Sequence, residues 1–169
     1  MVEIDLDITR AKTLPSKYYT DPQIFESILS KFKSTWNFIG HASQFEENTV
    51  FPININQEQL VITKSQGQFS CLSNICTHRG MILQHGKECK KTLTCPYHGR
   101  TFSLDGKFKH MPEFEQAVDF PSPDDDLQNL DLEIWNDLIF ISQEPKSSFG
   151  KWIKDISERM SFLDLENVI

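Results

Sequence analysis

Two short segments of the chain carry side chains that bind metals. The first reads C-T-H-R-G from Cys76 and the second reads C-P-Y-H-G from Cys95. The pattern is C-x-H, then the 16 residues 79–94, then C-x-x-H. Thiolates and neutral imidazoles are both metal ligands, and two compact loops can close a site from opposite sides. The sequence therefore predicts one metal centre held by Cys76, His78, Cys95 and His98.

Two kinds of centre use two cysteines and two histidines. Zinc binds this ligand set in structural sites, where the cysteine pair normally precedes the histidine pair. A two-iron, two-sulfide cluster with mixed ligands takes two cysteines on one iron and two histidines on the other. The interleaved order and the one-residue gap in C-x-H favour the cluster, and zinc stays open as the alternative. Gly80 and Gly99, one in each segment, give the backbone room to turn near the metal.

The remaining cysteines and histidines have simpler interpretations. Cys71 lies in an alternating apolar and polar segment and is expected to be a buried small hydrophobe, whereas Cys89 is expected to be a surface thiol. His41 is expected to be structural, and His85 and His110 are expected on the surface. A mononuclear non-haem iron needs two histidines and a carboxylate, and no such set is visible.

Charge is distributed unevenly in this acidic chain of 169 residues with a net charge of −7. Residues 76–110 contain seven basic and two acidic side chains, whereas residues 111–133 contain eight acidic side chains and no basic one. The basic segment can steer an acidic partner, while the net charge argues against nucleic acid. The acidic N-terminus is unlike a signal peptide, and the longest apolar run, 138–141, is far too short for a membrane span. We therefore expect a cytoplasmic protein with neither a nucleic-acid nor a membrane partner.

The pattern of the elements predicts an all-β core between two helices. Asp21 and Pro22 begin an apolar-faced helix, and the helical period returns from Phe149 to Leu163. Between them lie about eight short strands rich in Val, Ile, Thr and Phe, with turns at 66–67, 105–106 and 136–137 and a long loop at 112–123. The predicted parts are a helical approach segment (1–45), a β domain (46–145) with a cluster-binding subdomain (about 74–110), and a C-terminal helix (146–169).

The two boxes and the approach segment resemble those of a known family. They are similar to the N-terminal Rieske domain of the large (α) subunit of aromatic-ring-hydroxylating oxygenases. This resemblance implies a Rieske-type antiparallel β-sandwich with an inserted cluster-binding subdomain and one [2Fe–2S] cluster per chain. It also implies that Cys76 and Cys95 hold the inner iron and that His78 and His98 hold the outer iron.

The sequence departs from the family pattern in ways that affect the reduction potential. Arg100 stands where Trp is common, and Met81 and Tyr97 exclude the disulfide of respiratory Rieske proteins. Arg100 and Phe102 occupy the places of the Ser and Tyr that donate hydrogen bonds to the cluster in those proteins. Fewer donors imply a potential at the low end of the Rieske range, whereas the charge of Arg100 acts in the other direction.

Two functions follow from the resemblance. In the first, the chain is the one-electron-transfer part of a ring-hydroxylating-type oxygenase and has no mononuclear iron site of its own. A ferredoxin or a flavoprotein reductase supplies its electrons, and the catalytic part lies on a separate chain or elsewhere in a longer protein. In the second, it is an independent Rieske ferredoxin-like electron carrier. A redox sensor is a third class of function. The Trp152, Ile153 and Ile156 face discriminates between the first two: a carrier must fold it onto its own core.

Overall fold

The computed structural model describes residues 5–163. This part of the chain contains three α-helices: α1 (Lys17–Thr20), α2 (Pro22–Lys33) and α3 (Phe149–Arg159). It also contains ten strands: β1 (Asn37–His41), β2 (Thr49–Ile55), β3 (Glu58–Ser65), β4 (Gln68–Ser73), β5 (Glu88–Cys89), β6 (Leu93–Thr94), β7 (Thr101–Phe102), β8 (Phe108–His110), β9 (Asn129–Trp135) and β10 (Leu138–Ser142). Sequence patterns predicted about eight strands and missed β1 and the short β5.

The strands form two antiparallel sheets. The larger has the order β1-β10-β9-β4-β3-β2-β5 and curls into a half-barrel, whereas the smaller has the order β6-β7-β8. The small sheet is inserted between β4 and β9, which pair with each other in the large sheet. This arrangement confirms the predicted antiparallel β core with an inserted subdomain and flanking helices.

Two of the predicted hairpin turns are confirmed and one is longer than predicted. Gln66 and Gly67 have φ values of 53° and 74°, and Asn136 and Asp137 have values of 47° and 61°. Positive φ at both central residues is typical of a two-residue hairpin turn, because this geometry matches the twist of the two strands that it joins. Between β7 and β8 the turn instead spans residues 103–107.

Strand alternation divides the buried side chains between two cores. Leu60 and Ile62 of β3 point into the large sheet's inner core, whereas Val61 between them points towards the small sheet. Successive side chains of a strand face opposite sides, so a strand buried on both faces has a continuous apolar run. The core on the side of Val61 also contains Cys76 and Cys95, which connects the candidate ligands to the most buried part of the domain.

The two longer helices differ in how much they bury. Helix α2 begins as predicted, with the Asp21 carboxylate accepting from the Gln23 N–H at 2.9 Å, yet none of its residues is buried. Helix α3 packs Phe149 and Ile153 against Trp36 and Phe140.

The boundaries of both helical segments differ from the sequence prediction. Helix α3 ends at Arg159 rather than at Leu163, and residues 164–169 of the predicted C-terminal segment lie outside the described residues. Strand β1 lies within the predicted helical approach segment and pairs with β10, so the sheet begins before residue 46. Within residues 5–163, no helix has both the length and the apolar character required to cross a lipid bilayer.

Candidate metal centre

The two predicted ligand loops have the same backbone hydrogen bonds. In each loop the cysteine N–H donates to the carbonyl five residues further on, at 2.8 Å for Cys76 and 2.7 Å for Cys95. The cysteine carbonyl in turn accepts from the N–H of Gly80 at 3.0 Å or of Gly99 at 3.1 Å. These bonds close each loop between its cysteine and the residue five positions further on.

The two glycines allow a test of how much each loop depends on its turn. Gly80 and Gly99 have φ values of 70° and 76°, in the left-handed region that costs other residues about 1–2 kcal/mol. A Cβ on Gly99 would also lie 3.1 Å from Cγ of Pro112, whereas one on Gly80 would contact nothing within 4 Å. We expect Gly99→Ala to destabilise the protein more than Gly80→Ala, and both more than Gly86→Ala.

Urea unfolding of the cluster-loaded protein, followed by circular dichroism, measures these differences. Gly86→Ala is the matched control, because Gly86 lies in open space and lacks a left-handed φ. Equal unfolding midpoints for the three variants would show that neither loop depends on its glycine.

The two candidate cysteines lie side by side in the core. Cys76 and Cys95 are only 2% and 3% exposed, and Leu93 and Phe102 belong to the same cluster of buried residues. Burial raises the pKa of the Cys76 thiol, and the neighbouring Cys95 thiol raises it further, whereas the His78 backbone N–H lowers it. Because both thiols belong to this buried cluster, one cysteine from each loop lies in the same part of the core.

The two candidate histidines also come together, nearer the surface. The rings of His78 and His98 have centroids 4.9 Å apart and lie at 71° to each other. Burial and the neighbouring His98 lower the pKa of His78, which favours the neutral imidazole, the form that binds metals. Phe114 lies beside His78 with ring centroids 5.9 Å apart, a contact the sequence did not indicate.

One ring nitrogen of the two histidines lacks a hydrogen-bond partner in the part of the chain that the structure describes. The Nδ1 atom of His98 is buried and has no hydrogen-bond partner among the described residues. A buried polar atom without a partner costs about 1–3 kcal/mol, and coordination of a metal removes this cost. The four residues therefore fit a cofactor that has a thiolate side in the core and an imidazole side towards the surface.

The other cysteines and histidines lie where the sequence predicted. Cys71 is fully buried in the core of the large sheet, and burial raises the pKa of its thiol to about 12, whereas Cys89 is exposed. His41 precedes a 3-10 turn (Ala42–Gln44), where its Nδ1 accepts from the Ser43 N–H at 3.2 Å. His85 and His110 are exposed.

The basic segment 76–110 offers fewer free charges than its composition suggests. Arg100 is buried and forms an ion pair with Asp125, so it is not available to a docking partner. Lys107 pairs with Asp126 at 2.8 Å, and Lys90 pairs with Glu88 at 2.7 Å. The basic side chains of this segment without a salt bridge in the described structure are Arg79, Lys87, Lys91 and Lys109.

A curled antiparallel sheet with a small inserted sheet, in which two loops each contribute a cysteine and a histidine, defines a Rieske-type iron–sulfur fold. The family model of the Rieske [2Fe-2S] domain matches residues 35–129, and the chain belongs to this family. Its cofactor is therefore a Rieske-type [2Fe–2S] cluster. Family membership decides between the cluster and zinc, which the residues alone had left open.

Similar proteins are Rieske oxygenases. Choline monooxygenase of Amaranthus tricolor is 34% identical over 157 residues, which are 88% of this chain and 35% of that protein. The carnitine monooxygenase oxygenase subunit of Escherichia coli K12 is 30% identical over 142 residues, which are 82% of this chain and 38% of the subunit. The chain thus spans little more than a third of the length of these relatives.

Solved structures of oxygenases share the fold. The quaternary ammonium Rieske monooxygenase CntA in complex with L-carnitine superposes with a TM-score of 0.81 and 26% identity, covering 90% of this chain and 45% of that chain. Naphthalene 1,2-dioxygenase from Rhodococcus sp. gives a TM-score of 0.79 and 25% identity, covering 88% of this chain and 36% of that chain.

Proposed function

We propose that Cys76, His78, Cys95 and His98 bind the cluster and that the chain transfers single electrons as the Rieske part of an oxygenase. The observation that carries this proposal is the pairing of the two loops: both cysteines belong to one buried cluster in the core, and the two imidazole rings lie next to each other near the surface. When bound, the cluster accepts and gives up one electron at a time. In this proposal the segment of about 74–110 is the cluster-binding subdomain.

The protein residues position and shield the cofactor. The core around Cys76 and Cys95 excludes water from the thiolate side, because both side chains are almost completely buried. His78 and His98 are only half-buried, so a partner protein can approach the imidazole side most closely. We infer that the electron donor, a ferredoxin or a flavoprotein reductase, and the electron acceptor both use this side.

The relatives favour one class of substrate for the oxygenase that this domain serves. Choline and carnitine, which their names specify, are both quaternary ammonium compounds. The sequence had suggested aromatic ring hydroxylation, through resemblance to the wider family. We propose a quaternary ammonium substrate instead, bound by a catalytic domain or chain that lies outside residues 5–163.

The packing of α3 supports a second candidate function. Trp152 and Ile153 fold back onto Trp36, which directly precedes β1, and onto Phe140 of β10. Only Ile156 of the predicted face stays exposed, at 41%. This is the packing expected of an independent electron carrier. Both functions place electron transfer at the same four residues, so they differ only in the protein that receives the electron.

Metal analysis and spectroscopy of the purified chain test the proposal. We expect two irons and two acid-labile sulfides per chain, and an EPR spectrum of the reduced protein with the low average g value of mixed Cys and His ligation. Neutral imidazoles on one iron place less negative charge there than thiolates would, which distinguishes this cluster from an all-cysteine one. One zinc per chain without visible absorption, or the EPR spectrum of an all-cysteine cluster, would contradict the assignment.

A further inference from the structure

Residue Asp125 connects the two ligand loops. Its backbone carbonyl accepts a hydrogen bond from the Thr77 hydroxyl of the first loop at 2.9 Å. Its carboxylate forms an ion pair with the guanidinium of Arg100, which directly follows the second loop. The acid-rich segment 111–133, whose first half the sequence predicted as a long loop, thus contacts both loops through one residue.

Arg100 is held in surroundings that screen its charge poorly. Its side chain is 4% exposed, and its guanidinium carbon lies 5.8, 5.2 and 5.5 Å from the ring centroids of Phe102, Phe108 and Phe120. Its Nε is buried and has no hydrogen-bond partner among the described residues. A buried charge interacts more strongly with its neighbours than an exposed one, because water and salt screen it less.

The two partners of this ion pair are placed differently. The Asp125 side chain is 20% exposed and also accepts from the Ser122 N–H at 2.7 Å and the Ser122 hydroxyl at 3.1 Å, so solvent and a second group share its charge. Arg100 is joined directly to a ligand, since its carbonyl accepts from the Cys95 N–H at 2.7 Å.

We propose that Arg100 and Asp125 act as opposed charges that set the reduction potential of the cluster, with Arg100 as the positioning residue for the second loop. This inference rests on the proposed function of the four ligands. One electron from a reductant makes the cluster more negative by one charge, and no bond to protein forms or breaks. Arg100 stabilises that added charge and raises the potential, whereas Asp125 lowers it.

Redox titration of the loaded protein, followed by EPR, tests the signs. We expect Arg100→Met to lower the midpoint potential, because it removes a cation and leaves the anion of Asp125. Asp125→Asn is expected to raise it, because Arg100 then keeps its charge without a counter-ion. Each shift is expected to correspond to about a tenfold change in the reduction equilibrium, or about 59 mV for one electron. The double variant is expected to lie between the two.

Two controls separate this effect from a general loss of structure. Lys107→Met removes a cation whose side chain is 68% exposed and which pairs with Asp126, so we expect a clearly smaller shift than for Arg100→Met. Arg100→Lys keeps the charge but loses the planar guanidinium, so its potential is expected to stay near that of the wild type even if its urea midpoint falls.

The outcomes distinguish a failure of the proposed function from a failure of the charge-pair inference. Absence of a mixed-ligand cluster from the wild-type protein would contradict the proposed function itself. An intact EPR signal with shifts of the same sign in Arg100→Met and Asp125→Asn, or with no shift in either, would overturn only the charge-pair inference. If Arg100→Met does not retain the cluster, the variants Asp125→Asn and Arg100→Lys test the inference. A purely structural ion pair predicts that Asp125→Asn does not raise the midpoint potential and that Arg100→Lys loses the cluster as Arg100→Met does.

Discussion

Replacing Cys76 or Cys95 with serine is expected to reduce the iron and sulfide content of the purified protein to background. The thiolate is the metal-binding form of cysteine, and each of the two irons has only two protein ligands in the proposed arrangement. Both cysteines are almost fully buried beside each other, so no surface side chain can replace a lost ligand. Visible absorption, iron and acid-labile sulfide analysis measure the loss.

The chain contains its own controls for this experiment. Cys71→Ala changes an equally buried thiol in the other core, and Cys89→Ser changes an exposed one. Both variants are expected to keep the full cluster content. Replacing His78 or His98 with alanine is expected to lose or alter the cluster, since it opens a position on the outer iron. A full cluster with an unchanged EPR spectrum in any of the four ligand variants would remove that residue from the assignment.

The second large effect is an absence of oxygenation. The 169-residue chain, loaded with its cluster, is expected to accept electrons but to form no hydroxylated product from choline, carnitine or naphthalene. Oxygen activation by a mononuclear iron requires two histidines and one carboxylate with open positions beside them. Within residues 5–163, no three His, Cys, Asp or Glu side chains are grouped so that they can hold one metal ion.

The assay compares electron uptake with product formation in the same sample. Cluster reduction by dithionite or a reductase is followed by its visible spectrum, and products are measured after oxygen is admitted. A Rieske oxygenase with its catalytic domain is the positive control, which shows that substrate and reductant are adequate. Stoichiometric product from this chain alone would require an iron site that the described residues do not contain.

The sequence predicted the parts of the site that are local. The ligands of each loop lie two or three residues apart, so their spacing alone indicated a metal centre, and the turns at 66–67 and 136–137 were visible from residues that tolerate positive φ. The start of α2 was equally local, because a capping aspartate and a proline at the first helical position identify it.

The features that the sequence did not reveal depend on distant contacts. Asp125 lies 48 residues from Thr77 and 25 residues from Arg100, and no local pattern marks it among the eight acidic residues of its segment. The burial of Arg100 was missed for the same reason, and the segment 76–110 was therefore expected to expose more charge than it does. Strand β1 was missed because it becomes a strand by pairing with β10, about a hundred residues later.

If Cys76 and Cys95 hold the cluster as proposed, their position has a consequence for how the protein is made. Cys76 and Cys95 belong to the same buried cluster as Val61, Leu72 and Phe102, so they are reachable only while the small sheet is still open. Closure of this core would then follow binding of the cofactor, and the free energy of cluster binding would be part of the free energy of folding. Maturation in the cell would therefore depend on timing, because the cluster would have to be delivered before the hydrophobic core closes over these thiols.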